Sequence, residues 1–315
     1  MLLDPPAWPA HGTLWSHLIS DTSLHELRTF ARAAGLADRG LDLDHYDAPA
    51  RRHEDLLAAG ATAVDGRTLA RRLATSGLRV PGHERAGAKR VALLTRWQTL
   101  WEQEAGLPDA PESQDLYPQI RAVGEELVLR WGEPHRVYHG RLHLTASLDA
   151  LDALLAAAAG SPAEARTARL ALWFHDAVHD GEAERDEERS ASFAAELLAP
   201  AAEVGLVTPA EVDEVARLVL LTASHDPAAT DRLGALVSDA DLAILGAPPG
   251  RYARYVQQVR AEYAEVPEAR FRAGRAAVLD QLLALPTLFR TEAARAQWAT
   301  QASANLSGEL HSLRR

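Results

Sequence analysis

A chain of 315 residues, 47% hydrophobic and 24% charged, is long enough for two packed domains and too apolar for wholesale disorder. The absence of cysteine excludes disulfides, thiolate catalysis and thiolate-held zinc, so any metal must be held by His, Asp or Glu. A net charge of −11 with no dense basic run argues against duplex nucleic acid as a partner, whereas a small phosphorylated metabolite or nucleotide needs only a few placed cations. No run approaches the roughly 18 apolar residues of a membrane span, and Met1-Leu2-Leu3-Asp4-Pro5-Pro6 lacks the basic and apolar regions of a signal peptide. The expectation is a cytoplasmic protein with no membrane partner.

In chain order, Met1 to Leu3 reads as a short strand. Ser23-Leu24-His25-Glu26 reads as a capping box, followed by an apolar helical face through Leu24, Leu27, Phe30 and Ala31 that Gly35 ends. Leu41 to Tyr46 fits a second strand, Arg51 to Ala59 a helix, Ala61 to Val64 a third strand and Thr68 to Ser76 a last helix. Residues 1–80 are thus expected to form a small α/β domain, with 81–88 as a polar linker broken by Pro81 and Gly82. From 89 to 315 only helical patterns occur. Ser161-Pro162-Ala163-Glu164 and Thr208-Pro209-Ala210-Glu211 are capping boxes with proline at the first helical position, while Gly106 to Ser113 and Gly246 to Gly250 read as loops. The fold class is α+β overall: a small α/β domain, then an all-α domain.

The chemistry-bearing residues of the second domain are His and Asp in a fixed order. His139 and His143 share a helix face, His175-Asp176 closes the apolar run Leu170 to Phe174, His225-Asp226 follows a second apolar helix, and Asp239-Ala240-Asp241 comes next. Imidazole with carboxylate and no thiolate suits a divalent Mn, Mg, Fe, Ni or Zn ion. Such an ion lowers the pKa of bound water and polarises a phosphoryl oxygen.

This order resembles the HD superfamily of metal-dependent phosphohydrolases. Arg136-Val137-Tyr138-His139-Gly140-Arg141-Leu142-His143 is similar to the R-x-Y-H-x-x-x-H segment of one bacterial HD group. Trp173 to Val178, Asp186 to Ala191, Asp239 to Gly246, the Tyr255 to Tyr263 helix, Arg275 and Asn305-Leu306 continue the likeness over about residues 90–313. The resemblance implies an all-α HD-type domain with His143, His175, Asp176 and Asp241 as metal ligands and Asp239 as the alternate to Asp241. It also implies a catalytic set of His139, His179, Asp176 and Glu187. His139 is either a proton donor or phosphate contact, or a structural histidine. His179 stands where several relatives carry an acid, and is a base, a second-ion ligand with His225, or simply exposed. Arg136, Arg189, Arg260 and Arg275 are candidate phosphate clamps, with a structural ion pair as the alternative for each. The function expected is hydrolysis of a phosphomonoester or diester of a nucleotide or similar metabolite. A metal or nucleotide sensor without catalysis, or a di-iron oxygenase, are the other readings.

Residues 1–80 carry Asp4-Pro5-Pro6, Trp8, His11-Gly12, Trp15, His17 and Asp44-His45-Tyr46-Asp47. These blocks resemble a small bacterial domain family of unknown function, which implies no activity. Loop-borne Trp and His with strand-end Asp suit a ligand pocket or a second metal site. The alternative makes Trp8 and Trp15 core, with His11 and His17 tying down an irregular loop.

Overall fold

The computed structural model describes residues 1–10, 12–37, 40–80, 85–102, 111–158, 160–182 and 185–315. His11, residues 106–110 of the expected Gly106 to Ser113 loop and the first half of the expected linker, 81–84, lie outside the described residues. The chain divides into two units, Met1–Val91 and Ala92–Arg315.

The first unit contains β1 (Leu2–Leu3), β2 (Trp8–Ala10), β3 (Thr13–Ile19), α1 (Leu24–Ala33), β4 (Leu41–Asp42), β5 (His45–Pro49), α2 (His53–Ala58), β6 (Thr62–Ala63) and α3 (Gly66–Thr75). The sheet order is β4-β5-β3-β1-β6, with β2 also on β3; β1 and β6 run parallel, and the other pairs are antiparallel. Alternation along the strands sends Leu3, Leu18, Tyr46 and Ala48 to one face, where Leu27 and Ala31 of α1 and Leu56 of α2 bury them. Ile19 points the other way and packs on Leu69 and Leu73 of α3.

Several expectations need correction here. The segment Leu41 to Tyr46 is two strands, because Leu43 takes a left-handed φ of 63° and turns the chain. Trp8, Trp15 and His17 are strand residues paired across β2, β3 and β5, not loop residues, and Trp8 is 54% exposed rather than core. At α1, Ser23 Oγ does accept the Glu26 amide, but the Ser23 amide goes to Ser20 Oγ, and the Glu26 carboxylate accepts the Ser20 hydroxyl, so the reciprocal box is absent.

The helix α4 (Arg85–Glu102) runs across the boundary between the units, so residues 85–88 are helical rather than linker. After it come α5 (Pro111–Arg130), α6 (Arg141–Ala157), α7 (Pro162–Phe174), α8 (Arg185–Glu203), α9 (Pro209–Leu221), α10 (Arg232–Asp241), a 3₁₀ turn (Leu242–Gly246), α11 (Pro249–Glu262), α12 (Glu268–Ala284) and α13 (Glu292–Leu313). Both proline-bearing capping boxes form as read, at Ser161 and Thr208. The expected loops shrink: residues 111–113 begin α5, and Gly246 to Gly250 is mostly the 3₁₀ turn and the start of α11. One core joins these helices, with Trp97, Trp131, Trp173 and Phe174 fully buried. Trp97 and Trp131 each donate their indole N–H to a carbonyl, of Ile120 and Trp173, so neither leaves a buried donor unpaired. Among the described residues no helix is long and apolar enough to cross a membrane.

Candidate metal centre

Helix ends bring the His and Asp residues together. His143 lies in the first turn of α6, His175 and Asp176 follow directly on α7, and Asp241 is the last residue of α10. His143 Nε2 is 3.0 Å from Asp241 Oδ1 and 3.8 Å from Asp176 Oδ2. His175 Nε2 is 3.2 Å from Asp176 Oδ2 and 3.4 Å from Asp241 Oδ1, and the two imidazole Nε2 atoms are 3.2 Å apart. Donors bound to a single ion at about 2.1 Å sit about 3.0–3.4 Å apart, for octahedral or tetrahedral angles respectively. The spacing therefore suits a shared cation.

The tautomer points the same way. His175 Nδ1 lies 2.8 Å from the Leu172 carbonyl, which can only accept, so Nδ1 carries the proton and Nε2 offers a lone pair when the ring is neutral. Burial opposes a charge on His175, but Asp176 and Asp241 outweigh it and hold its pKa well above the ordinary value. Both carboxylates are held well below theirs, burial being outweighed by His175 first. The cluster thus has a strong demand for positive charge. The carboxyl ends of α7 and α10 add negative partial charge there. Trp131 walls the imidazoles, its ring centroid 5.2 Å from His175 and 6.0 Å from His143, and Tyr138 stands 4.8 Å from His143.

His225 joins from the side, its Nε2 3.5 Å from Asp241 Oδ2. Its backbone has φ 50°, uncommon for a residue with a side chain, and its buried Nδ1 has no hydrogen-bond partner. Burial lowers its pKa, so it offers a neutral ring. Asp239 is elsewhere: its oxygens accept the Arg290 and Thr291 amides at 2.7 Å each and so anchor the chain entering α13. Geometry favours Asp241 over Asp239 as the candidate ligand.

A second group adjoins the first. His139 and His179 have ring centroids 4.2 Å apart, and both contact Glu262 Oε1, His179 at 3.3 Å. Glu262 Oε2 accepts the Val137, Tyr138 and His139 amides at 2.7–3.0 Å, tying the end of α11 to the segment before α6. His179 is 13% exposed, so it is not a free surface residue. Burial depresses the His139 pKa despite Glu262, whereas Glu262 and Asp176 lift that of His179 against its burial. Sequence reading missed Glu262. Nothing local distinguishes it from Glu265, and its partners lie 83 to 125 positions away.

The four arginines expected on phosphate have protein partners. Arg136 is buried and donates to the carbonyls of His139, Asp176 and Ala177 as well as to Glu133. Arg275 is buried against Glu309 and the Tyr255 ring. Arg260 holds Glu268 and the carbonyls of Tyr263 and Val266, and Arg189 pairs with Asp180 at the surface. Arg136 and Arg275 thus take the structural alternative, fixing the backbone and the helix packing. Glu187 is also not among the residues whose donor atoms converge. It is half-buried on α8, where burial and the nearby carboxylates, its own included, raise the Tyr263 phenol to about 12.

Comparison with known proteins reaches only the first unit. Residues 1–76 match the family model described as a protein of unknown function, DUF4031. No curated protein and no solved structure matches the chain.

Proposed function

We propose that residues 89–315 form an HD-type metal-dependent phosphohydrolase acting on a nucleotide or similar small phosphate ester. The observation that carries the reading is the convergence of donor atoms from His143, His175 and Asp241, with Asp176 Oδ2 3.2–3.8 Å from the two imidazoles, drawn from three separate helix ends. The donor set fits a divalent ion: two imidazole nitrogens, two ionised carboxylates and the neutral His225 ring nearby, whose buried Nδ1 has no hydrogen-bond partner. Such an ion, when bound, supplies Lewis acidity toward a phosphoryl oxygen and a lowered pKa for water.

The protein's own residues supply the proton handling. Glu262 accepts from His139 Nδ1, leaving Nε2 of a largely neutral ring to take or give a proton. His179, held by the same carboxylate, favours the protonated form and stabilises negative charge on a leaving group. Arg136 fixes the turn after His175 through the carbonyls of Asp176 and Ala177, so the ligand geometry is set before substrate arrives. Trp131 and Tyr138 keep water from one side of the imidazoles.

The His139–His179–Glu262 group favours a second reading with two ions, which a di-iron oxidation would also need. Metal analysis of the purified protein separates the two readings: one ion of Mn, Mg, Ni or Zn at this centre supports hydrolysis, and two irons support oxidation. A phosphatase and phosphodiesterase panel across divalent metals then tests turnover. Asp176→Ala is expected to abolish metal-dependent hydrolysis and lower occupancy, with little change in circular dichroism. Full activity and full metal content in that variant would remove Asp176 from the site; a loaded protein inert on every ester leaves the sensor reading in its place.

A further inference from the structure

The first unit has a donor cluster of its own, on the sheet face that α3 leaves uncovered. In the β3–β5 register His17 stands directly opposite Asp47. His45, two residues before Asp47, projects from the same face, because strand side chains alternate. The result is two imidazoles and a carboxylate on one patch, their ring centroids 5.0 Å apart. His45 is nearly buried, His17 is 24% exposed and Asp47 is 47% exposed, so the patch opens to solvent.

Each imidazole is oriented by a carboxylate behind it. His17 Nδ1 lies 3.0 Å from Asp4 Oδ2, and Asp4 also accepts the His17 amide and the Trp8 indole N–H. His45 Nδ1 lies 2.6 Å from Asp44 Oδ1, and Asp44 in turn accepts the Val80 amide at 2.6 Å. Both carboxylates are buried. With the proton of each ring on Nδ1, both Nε2 atoms aim at the same oxygen, Asp47 Oδ1, at 3.7 Å and 3.4 Å. The 3.7 Å separation is too long for a hydrogen bond, the 3.4 Å one lies at the edge of that range, and both are close to the spacing of donors around one tetrahedral ion. Carboxylate-backed imidazoles converging through Nε2 are the arrangement that metal sites use to fix ring orientation and raise ligand basicity.

We infer that His17, His45 and Asp47 hold a divalent transition-metal ion through two Nε2 atoms and one carboxylate oxygen, with a remaining position open to solvent beside Trp8. Three protein donors and an open position are the pattern of a site that takes water or an anionic small molecule as its last ligand. Trp8, exposed and 5.2 Å from the His17 ring, gives such a ligand a flat apolar wall.

The test uses the full-length chain, stripped with chelator and titrated with Co²⁺ and Zn²⁺, with bound metal counted after gel filtration and the Co²⁺ d–d absorption recorded. Because the second unit has its own candidate centre, the readout is a difference between variants. Asp47→Asn, at a half-exposed position, and His17→Gln should each remove one equivalent relative to the parent, or weaken it at least tenfold. The same step should appear when both are compared in an Asp241→Ala background. The Co²⁺ absorption of the lost equivalent should show imidazole ligation. Equal stoichiometry and affinity in parent, Asp47→Asn and His17→Gln, with native circular dichroism, overturns the inference and leaves the phosphohydrolase reading intact. Loss of an equivalent in Asp241→Ala alone bears only on that other centre.

Discussion

Asn305 is the residue on which the placement of Asp241 turns. Its Nδ2 donates at 2.8 Å each to the carbonyls of Leu245, in the 3₁₀ turn that begins directly after Asp241, and of Ala247, which ends that turn. Asn305→Leu keeps the volume but leaves two buried carbonyls without donors, at about 1–3 kcal/mol apiece. We expect a stability loss on the order of 2–4 kcal/mol by urea denaturation and reduced metal occupancy. Gln301→Ala, which removes only the amide feeding Asn305 Oδ1, should do much less. Gly246 acts at the same junction. A Cβ there would lie 2.3 Å from Trp298 Cβ and 2.8 Å from its Cα, so Gly246→Ala must push α13 away from the turn, at a cost of about 1–3 kcal/mol.

At the scale of elements, α10 carries Asp241 at one end and is held at the other by Asp231. That carboxylate caps the Gly234 amide at 2.8 Å and pairs with Arg217 at 2.7 Å. Burial would raise its pKa, but Arg217 and the Gly234 amide hold it below 3.8. A carboxyl with a depressed folded pKa contributes stability that is present above its unfolded value, and that stability is lost as pH falls through the folded one. The second unit should therefore weaken on acidification below about pH 4. Asp231→Ala should cost about 1–2 kcal/mol at neutral pH and show a shallower acid dependence, measured as urea midpoints from pH 7 to 2.5. Elements of this kind were legible in the sequence wherever one local signal settled them. The proline-bearing capping boxes fixed the starts of α7 and α9, and the order of His143, His175-Asp176 and Asp241 named side chains that do converge. The β2–β3 hairpin was not legible, because its alternation is inverted: Ser16 is buried on His53 while Leu14 is 43% exposed, and Pro9 sits inside a strand. Glu262 was hidden for a different reason. Its role comes from backbone amides far along the chain, which no short window contains.

Over the whole molecule, the two units keep separate cores. Among the described residues, Leu3, Leu18, Tyr46 and Leu56 belong to one buried cluster and the tryptophans of the second unit to another. Only α4 belongs to both by sequence, with Lys89 near Asp42 in the first unit and Leu93, Trp97 and Trp101 in the second unit's core. A chain ended after Arg290 lacks α13 and with it Trp298, Ala302, Leu306 and Leu310. Its first unit should survive as a protease-resistant core, while the proposed His143–Asp241 centre should take up no metal and the tryptophan fluorescence of the second unit should red-shift. Retained occupancy at that centre would mean that α13 is not needed to set it.

The position of α13 also fixes when the centre can come into being. On the ribosome β1 must wait for β6 before it gains its parallel neighbour, but both lie within the first 63 residues, so that sheet can close early. The other centre follows a later schedule. All of its candidate ligands have been polymerised once Asp241 is added, yet the amide that pins the turn after Asp241 belongs to Asn305, near the carboxyl end. A nascent chain therefore carries a complete set of donors for tens of residues before it can hold them in register, and translation that halts in that interval yields the ligands without the site.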